Sequence, residues 1–275
     1  MEEWLRENGV EDEMLKSVSV HMFDDGSGRG LIANRDFSAG EVITRIPEKL
    51  LITGASIVSL RDCKPETKLA YALINERRKG ESSFWSHYLR ILPSEVEMID
   101  HFDFRNREEL DEEFDCPELT QVVTKLRKEV KEEFEKMNQQ LPPESVAVKW
   151  SEFQWAMKLV NTRSCFVHTN RQHGTIALVP FFDFLNHSSE AETEGRFDFS
   201  THCFETITKK SIKKGSQVFL CYGQHDSITL AVYYGAIPVP NQHDHVRLDR
   251  FISEMIQPST TTRRREEALL TDVIG

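Results

Sequence analysis

Across residues 17–53 apolar and polar positions alternate in short runs: Val18, Val20 and Met22 keep a period of two, and Gly30-Leu31-Ile32-Ala33 and residues 41–46 follow. This is the pattern of short, half-buried strands, with Asp24-Asp25-Gly26 and Ser38-Ala39-Gly40 as the turns between them. From residue 53 to about 162 the period changes. Leu119, Val122, Val123, Leu126, Val130, Phe134 and Met137 share one face of a 3.6-residue repeat whose opposite face is densely charged, which predicts an amphipathic helix with a solvated outer surface. Ser151-Glu152-Phe153-Gln154 has the form of a capping box, and Phe153, Ala156, Met157 and Val160 continue it as one apolar face, so a second helix is predicted from Ser151. Strand texture then returns in residues 175–179, 202–208 and 217–221, with Lys213-Lys214-Gly215 as a turn. Asp226 is placed to cap a short helix through Leu230, Ala231 and Tyr234 that stops at Gly235, and Pro238 and Pro240 prevent its continuation. From Gln257 the chain reads as a linker and the start of a charged helix.

The order is therefore β, long helical insert, β. A chain of 275 residues buries roughly 70–75% of its unfolded surface, so a real core is expected. With 39% hydrophobic and 29% charged residues, 13 Gly and 10 Pro, the composition excludes collagen-like, low-complexity and wholly disordered classes. Lys+Arg 34 against Asp+Glu 45 gives a net charge of −11. Such a chain has no global attraction to nucleic acid or anionic lipid, and a basic protein partner is electrostatically easier. The five cysteines, Cys63, Cys116, Cys165, Cys203 and Cys221, are odd in number, scattered and free of any C-x-x-C pair. They point to reduced intracellular thiols rather than a disulfide framework or zinc ribbon. The N-terminus is acidic and no apolar run approaches the roughly 20 residues that span a bilayer. The expectation is a monomeric protein of the cytosol or nucleus with no membrane or direct nucleic-acid partner.

Three segments could carry chemistry. Asp25-Gly26-Ser27-Gly28-Arg29-Gly30-Leu31 lets backbone groups approach a ligand with no Cβ in the way. A strand rather than a helix follows it, which disfavours a dinucleotide fingerprint, and the Lys-Ser/Thr of a P-loop is missing. Residues 179–188, an apolar run through Asp183 ending in Asn186-His187-Ser188, present amide and imidazole groups suited to a polar ligand edge. Val218-Phe219-Leu220-Cys221-Tyr222-Gly223 delivers a phenol to the end of a strand, where it can orient a reacting group. Taken singly, each also reads as ordinary structure: a hairpin turn, a satisfied core aspartate with a capping asparagine, and a packed aromatic.

In order, Gly28-Arg29-Gly30-Leu31, a helical insert, Asn161-Thr162-Arg163-Ser164, Asp183-x-x-Asn186-His187-Ser188, Cys221-Tyr222-Gly223 and Tyr234-Gly235 resemble the SET-domain protein-lysine methyltransferases. The resemblance is to the branch with a split SET domain, that of plant Rubisco large-subunit methyltransferase. Ser83-Phe84-Trp85-Ser86-His87-Tyr88-Leu89-Arg90-Ile91-Leu92-Pro93 and Tyr222-Gly223-Gln224-His225-Asp226 add local matches, and the resemblance runs from about Trp4 to about Val246. It implies an α+β class: a β-rich SET fold of short strands with a knot-like core, interrupted by a helical insert. The division it implies is an N-terminal helix (1–16), the first part of the SET domain (17–60), the insert (61–150), the second part (151–240), and a linker with the start of a helical substrate-docking domain (241–275).

By the same resemblance S-adenosylmethionine, leaving as S-adenosylhomocysteine, lies against the backbone of Ser27, Gly28, Arg29, Gly30 and Leu31, with Asn186 and His187 addressing its adenine and amino-acid portions. Thr162, Arg163 and Asp183 line the cofactor and lysine pockets, Arg163 and Asp183 as an ion pair. Tyr222 is the catalytic tyrosine and also borders the cofactor, Cys165 lines the pocket, and Tyr234 flanks the target lysine of a histone or non-histone protein. No metal is implied. A phenol, backbone carbonyls and a dry channel suit in-line methyl transfer to a neutral amine. Two departures stand out: Ala236 follows Tyr234-Gly235 where relatives commonly place a phenylalanine, and the chain ends at Gly275 where relatives continue into a helical docking domain. An inactive SET-fold module that binds a protein partner is therefore a second reading. Cys165-x2-His168-x4-His173 lacks a fourth zinc ligand, and a cysteine hydrolase built on Cys165 or Cys221 with His187 lacks an oxyanion-hole signature.

Overall fold

The computed structural model describes residues 1–24, 26–96, 116–168, 174–191, 193–235 and 240–245. Two short helices, α1 (Glu2–Glu7) and α2 (Asp12–Ser17), bury Trp4, Leu5 and Leu15. The alternating segments then pair as expected: β1 (Val18–Phe23) lies antiparallel to β2 (Gly28–Ala33), in register from Val18 opposite Ala33 to Phe23 opposite Gly28. The turn between them brings Gly26 and Gly28 to φ +88° and +68°, values that glycine takes without the Cβ penalty. After β3 (Val42–Pro47) and β4 (Ile52–Thr53) come α3 (Pro65–Lys79), α4 (Ser86–Leu89), α5 (Pro117–Gln140) and α6 (Trp150–Arg163). The chain returns to β5 (Ser164–Val167), β6 (Thr175–Leu178), β7 (Asn186–His187), β8 (Thr193–Asp198), β9 (Cys203–Thr208) and β10 (Gln217–Leu220), and then α7 (Ser227–Tyr234).

The periodic helix is α5. Its Val123, Val130 and Met137 are buried, and Phe134 packs edge-on against Trp150 at 5.0 Å between ring centroids. The α6 prediction was displaced: the helix starts at Trp150, with Lys149 as N-cap and Ser151 inside the first turn. Glu152, not Gln154, closes the cap. Its carboxylate accepts from the Lys149 N–H at 3.0 Å and from Arg78 in a two-pronged pair at 2.9 and 2.8 Å, so a contact from α3 decides where the helix begins. For α7 the Asp226 carboxylate accepts from the Thr229 N–H at 2.8 Å and Gly235 closes the other end in the left-handed region.

Among the described residues the strands form three small sheets, ordered β1-β2-β10-β7, β3-β9-β8 and β4-β6-β5. Strands β5, β7 and β8 were not predicted. β8 is a hydrophilic stretch held by its partner: Glu205 of β9, its side chain 2% exposed, sits between Arg45 at 2.6 Å and Arg196 at 3.1 Å. β5 places Cys165 on a strand. One core joins the pieces, taking Leu31 from β2, Ile43 and Ile46 from β3, Leu69 and Leu73 from α3, Phe153 and Leu159 from α6, and Leu178 from β6.

The chain divides into two compact units, Met1–Gln242 and His243–Gly275. The expected linker and charged helix beyond Gln257, Ala236, Asp25 of the first turn, and 97–115 of the insert lie outside the described residues. Among the described residues no helix is long and apolar enough to cross a membrane.

Candidate active site

The four-stranded sheet brings the three sequence motifs together. β10 pairs antiparallel with β2 (Val218 opposite Leu31) and parallel with β7 (Phe219 opposite Asn186, Leu220 opposite His187). The glycine-rich strand, the Asn-His pair and the strand leading to Tyr222 are thus neighbours. Side chains bind them at the sheet end: Asn186 Nδ2 donates to the Ser27 carbonyl at 3.2 Å and to Gln217 Oε1 at 2.7 Å, and Gln217 Nε2 donates to Ser27 Oγ at 3.4 Å. A Cβ on Gly30 would lie 2.6 Å from both Asn186 Nδ2 and Gln217 Oε1, so only glycine lets the amide cluster close over the strand. Arg29 points away from that cluster, its guanidinium donating to the Ile91 carbonyl at 3.2 Å and lying 5.5 Å from the Phe184 ring. Leu31 belongs to the core, with 1% exposure.

His187 connects this cradle to Tyr222. The Tyr222 N–H donates to His187 Nδ1 at 3.1 Å and the two rings are 5.2 Å apart. An accepting Nδ1 assigns the proton of the neutral ring to Nε2. The Tyr222 hydroxyl donates to the Leu185 carbonyl at 2.7 Å, and its ring is stacked at 4.8 Å and 33° on Tyr234 at the end of α7. Burial pushes the Tyr222 phenol well above its ordinary value, with Arg163 pulling the other way, so it remains a neutral donor.

Behind this pair lies a cavity of about 110 Å³, lined among others by Thr162, Arg163, Cys165, Asp183, Tyr222 and Tyr234. At about 30 Å³ per water it admits roughly three or four waters, or the end of one side chain. Arg163 Nη1 donates to the Asp183 backbone carbonyl at 3.0 Å and to Oδ2 at 3.1 Å, the expected ion pair. The Asp183 side chain has no solvent exposure. Burial raises its pKa, and Arg163 and the Tyr88 hydroxyl, 3.0 Å from Oδ2, oppose the rise. Asp183 Oδ1 has no hydrogen-bond partner, which is costly for a buried carboxylate oxygen. Burial, with Asp183 adding to it, pushes the Cys165 thiol up to about 12. Thr162 Oγ1 bonds back to the Lys158 carbonyl at 2.8 Å, which leaves its methyl and backbone to the wall. Phe181, two residues before Asp183, takes φ +75°, a backbone strain of about 1–3 kcal/mol that recurs at functional sites.

The predicted residues thus fall into two connected groups. Thr162, Arg163, Cys165, Asp183, Tyr222 and Tyr234 line the cavity, and Ser27, Gly28, Gly30, Asn186 and His187 form the adjoining sheet end. Gln217, Leu185 and Tyr88 were missed. Tyr88 lies within a segment quoted for its likeness, yet nothing local marks it as reaching Asp183. The sketched Cys165, His168, His173 metal site includes His173, outside the described residues; among those described, no three or more His, Cys, Asp or Glu are placed to hold an ion.

Comparison with known proteins agrees with this arrangement. The SET-domain profile matches residues 28–223. SET domain-containing protein 4 of Mus musculus is 30% identical over 269 residues, covering 88% of this chain and 59% of that protein. The actin-histidine N-methyltransferase of Mus musculus is 26% identical, covering 91% of this chain and 44% of its own length. The crystal structure of the SET domain of LSMT bound to lysine and AdoHcy superposes with a TM-score of 0.72 at 26% identity, covering 92% of this chain and 61% of that one. The chain spans about three fifths or less of the length of these curated relatives. With its profile match running from the glycine-rich strand to the residue after Tyr222, the chain belongs to the SET-domain family.

Proposed function

We propose that the protein is an S-adenosylmethionine-dependent protein-lysine N-methyltransferase, acting on lysine side chains of histone or non-histone proteins. The observation that carries this reading is the locked Tyr222: its hydroxyl is fixed on the Leu185 carbonyl and its ring on Tyr234, at a cavity wall adjoining the Ser27-Gly30-Asn186-His187 cradle. The residues present fit the cofactor. Gly28, at φ +68° with open space around it, leaves the strand's backbone bare, and Asp183 Oδ1 is an acceptor in want of a donor. Ser27, Gly28, Asn186 and His187 would hold the cofactor, which supplies an electrophilic methyl group when bound.

The chain's own contribution is positioning and exclusion of water. Only a neutral amine has a lone pair to attack, and both burial and neighbouring positive charge lower an amine's pKa. The cavity supplies the first through Tyr222 and Tyr234 and the second through Arg163, whose charge Asp183 partly offsets. Tyr222 orients the amine and shields it from water. A narrow cavity walled by two tyrosine rings favours an extended alkyl amine. The histidine-directed relative makes an imidazole the alternative acceptor, and peptides carrying one or the other residue separate them.

Five cysteines without a disulfide support a reducing compartment, the cytosol or nucleus. Labelled S-adenosylmethionine and a lysine-rich protein mixture test the activity. Label is expected to enter lysine, with Tyr222→Phe lower by on the order of 100-fold. Equal incorporation by both proteins removes Tyr222 from catalysis. Cofactor binding by calorimetry without any transfer would instead assign a SET-fold binding module.

A further inference from the structure

One short stretch, α4 and the two residues after it, reaches both halves of the site. Tyr88 in α4 is fully buried, and its hydroxyl donates to Asp183 Oδ2 at 3.0 Å across 95 residues. Three residues on, the Ile91 carbonyl accepts from Arg29 of the glycine-rich strand at 3.2 Å, and the Arg29 guanidinium lies over Phe184, the residue after Asp183. The donors that reach the Asp183 side chain, Tyr88 and Arg163 Nη1, converge on Oδ2, while Oδ1 has none. The other ionisable groups facing it are Arg29, Cys165 and Tyr222. Arg163 Nη1 is committed to the carbonyl and carboxylate of Asp183, so the direction of the rest of its guanidinium, at the cavity wall, depends on where Oδ2 is held.

Resting on the methyltransferase reading above, we infer that Tyr88 is a positioning residue for methyl transfer: its hydroxyl keeps Asp183 ionised in one orientation and thereby sets the Arg163 guanidinium. Two physical features support this. A carboxylate with no exposure stays charged only if donors replace its lost water, and Tyr88 supplies one of two. Burial holds the Tyr88 phenol well above its ordinary pKa, so it donates throughout the neutral range.

Tyr88→Phe keeps the ring and removes the hydroxyl. Without that donor Asp183 binds its proton more tightly, so a larger fraction is protonated at pH 7 and a smaller one at pH 9. Transfer is expected to fall about tenfold at pH 7, as for loss of a hydrogen bond to a charged group. The ratio of wild-type to variant rate shrinks as the pH rises, because a smaller fraction of the variant then carries a protonated Asp183. A purely structural role gives a ratio independent of pH, and that result would overturn the proposal. Infrared difference spectra at pH 7 supply a readout without catalysis: a protonated-carboxyl band present in Tyr88→Phe, and absent from both wild type and the Tyr88→Phe, Asp183→Asn double variant. Absence of the band in Tyr88→Phe also overturns it. If the wild type transfers no methyl group, the functional reading fails while the infrared arm still decides the Tyr88–Asp183 link. If Tyr88→Phe does not fold, 3,5-difluorotyrosine at position 88, a stronger donor of nearly the same shape, is expected to flatten the acid limb of the rate profile; an unchanged profile counts against the proposal.

Discussion

Asn186 and Ser27 stand 159 positions apart, and the side-chain amide of one donates to the backbone carbonyl of the other at 3.2 Å. Gln217 completes the link, 2.7 Å from the same amide nitrogen. Three segments from opposite ends of the folded unit are thereby fixed to within a hydrogen bond's tolerance, the precision that an in-line transfer needs.

Gly30→Ala places a methyl group 2.6 Å from Asn186 Nδ2 and Gln217 Oε1. Overpacking of this kind costs about 1–3 kcal/mol, and here it displaces the cradle's own polar groups. Urea denaturation should show the loss, and the thermal shift on adding S-adenosylmethionine should vanish. Gly26→Ala, at φ +88° with open space around it, should lose about 1 kcal/mol and keep its thermal response.

Arg163→Met strands the buried Asp183 carboxylate, whose side chain has no exposure. Removing one partner of a buried pair costs about 3–5 kcal/mol, and the Arg163→Met, Asp183→Asn double variant should recover part of it. The sign of the pH dependence follows from Asp183, whose folded pKa is already raised by burial and rises further without Arg163. The penalty belongs to the charged form, so it is complete only above the folded pKa. It fades as the pH falls through the folded value towards about 4, the ordinary carboxylate pKa. Stability curves at several pH values check this.

Glu152 behaves in the opposite sense. The Arg78 guanidinium, with the Lys149 N–H adding to it, lowers its pKa to about 2 from the ordinary 4.5. Its stabilisation is complete above pH 4.5 and is lost as the pH falls through about 2. Because the pair is roughly a quarter exposed, solvent screening reduces its worth, and Glu152→Gln is expected to cost about 1–2 kcal/mol at pH 7. The difference from wild type should narrow steadily below pH 4.5 and close only below about pH 2 in acid titrations followed by circular dichroism.

Asp226 accepts from the Thr229 N–H at 2.8 Å and starts the helix whose last residue is Tyr234. Asp226→Ala should cost about 1 kcal/mol, as loss of an N-cap does. Because Tyr234 stacks on Tyr222 at 4.8 Å, methyl transfer should fall with it. Asp226→Ser, which can cap, should restore both stability and rate.

Local features were legible in the sequence because their causes are local. The repeat from Leu119 to Met137 marked α5, Asp226 and Gly235 marked both ends of α7, and the alternation around Val18 and Val20 marked β1. The Arg163–Asp183 pair and the grouping of Tyr222 with Tyr234 followed from resemblance rather than from any period. β7 was invisible because a strand of two residues has no period to detect. β8 was hidden because its polar residues become a strand only where Glu205 holds Arg196. The start of α6 was misplaced because Arg78, 74 positions from Glu152, chose between two caps of similar form.

The amino-acid order by itself determined the long amphipathic helix, the capped helix before Gly235 and the alternating strands, and which residue types are on hand: glycines without Cβ, an amide, an imidazole and two phenols. Tertiary structure alone decided that β10 lies between β2 and β7, that Leu185 offers its carbonyl to Tyr222, and that Tyr88 reaches Asp183. Periodicity reports the environment of a residue averaged over its near neighbours in the chain. A hydrogen bond spanning 95 or 159 positions depends instead on how the sheets and helices pack, and no window along the sequence contains both of its ends.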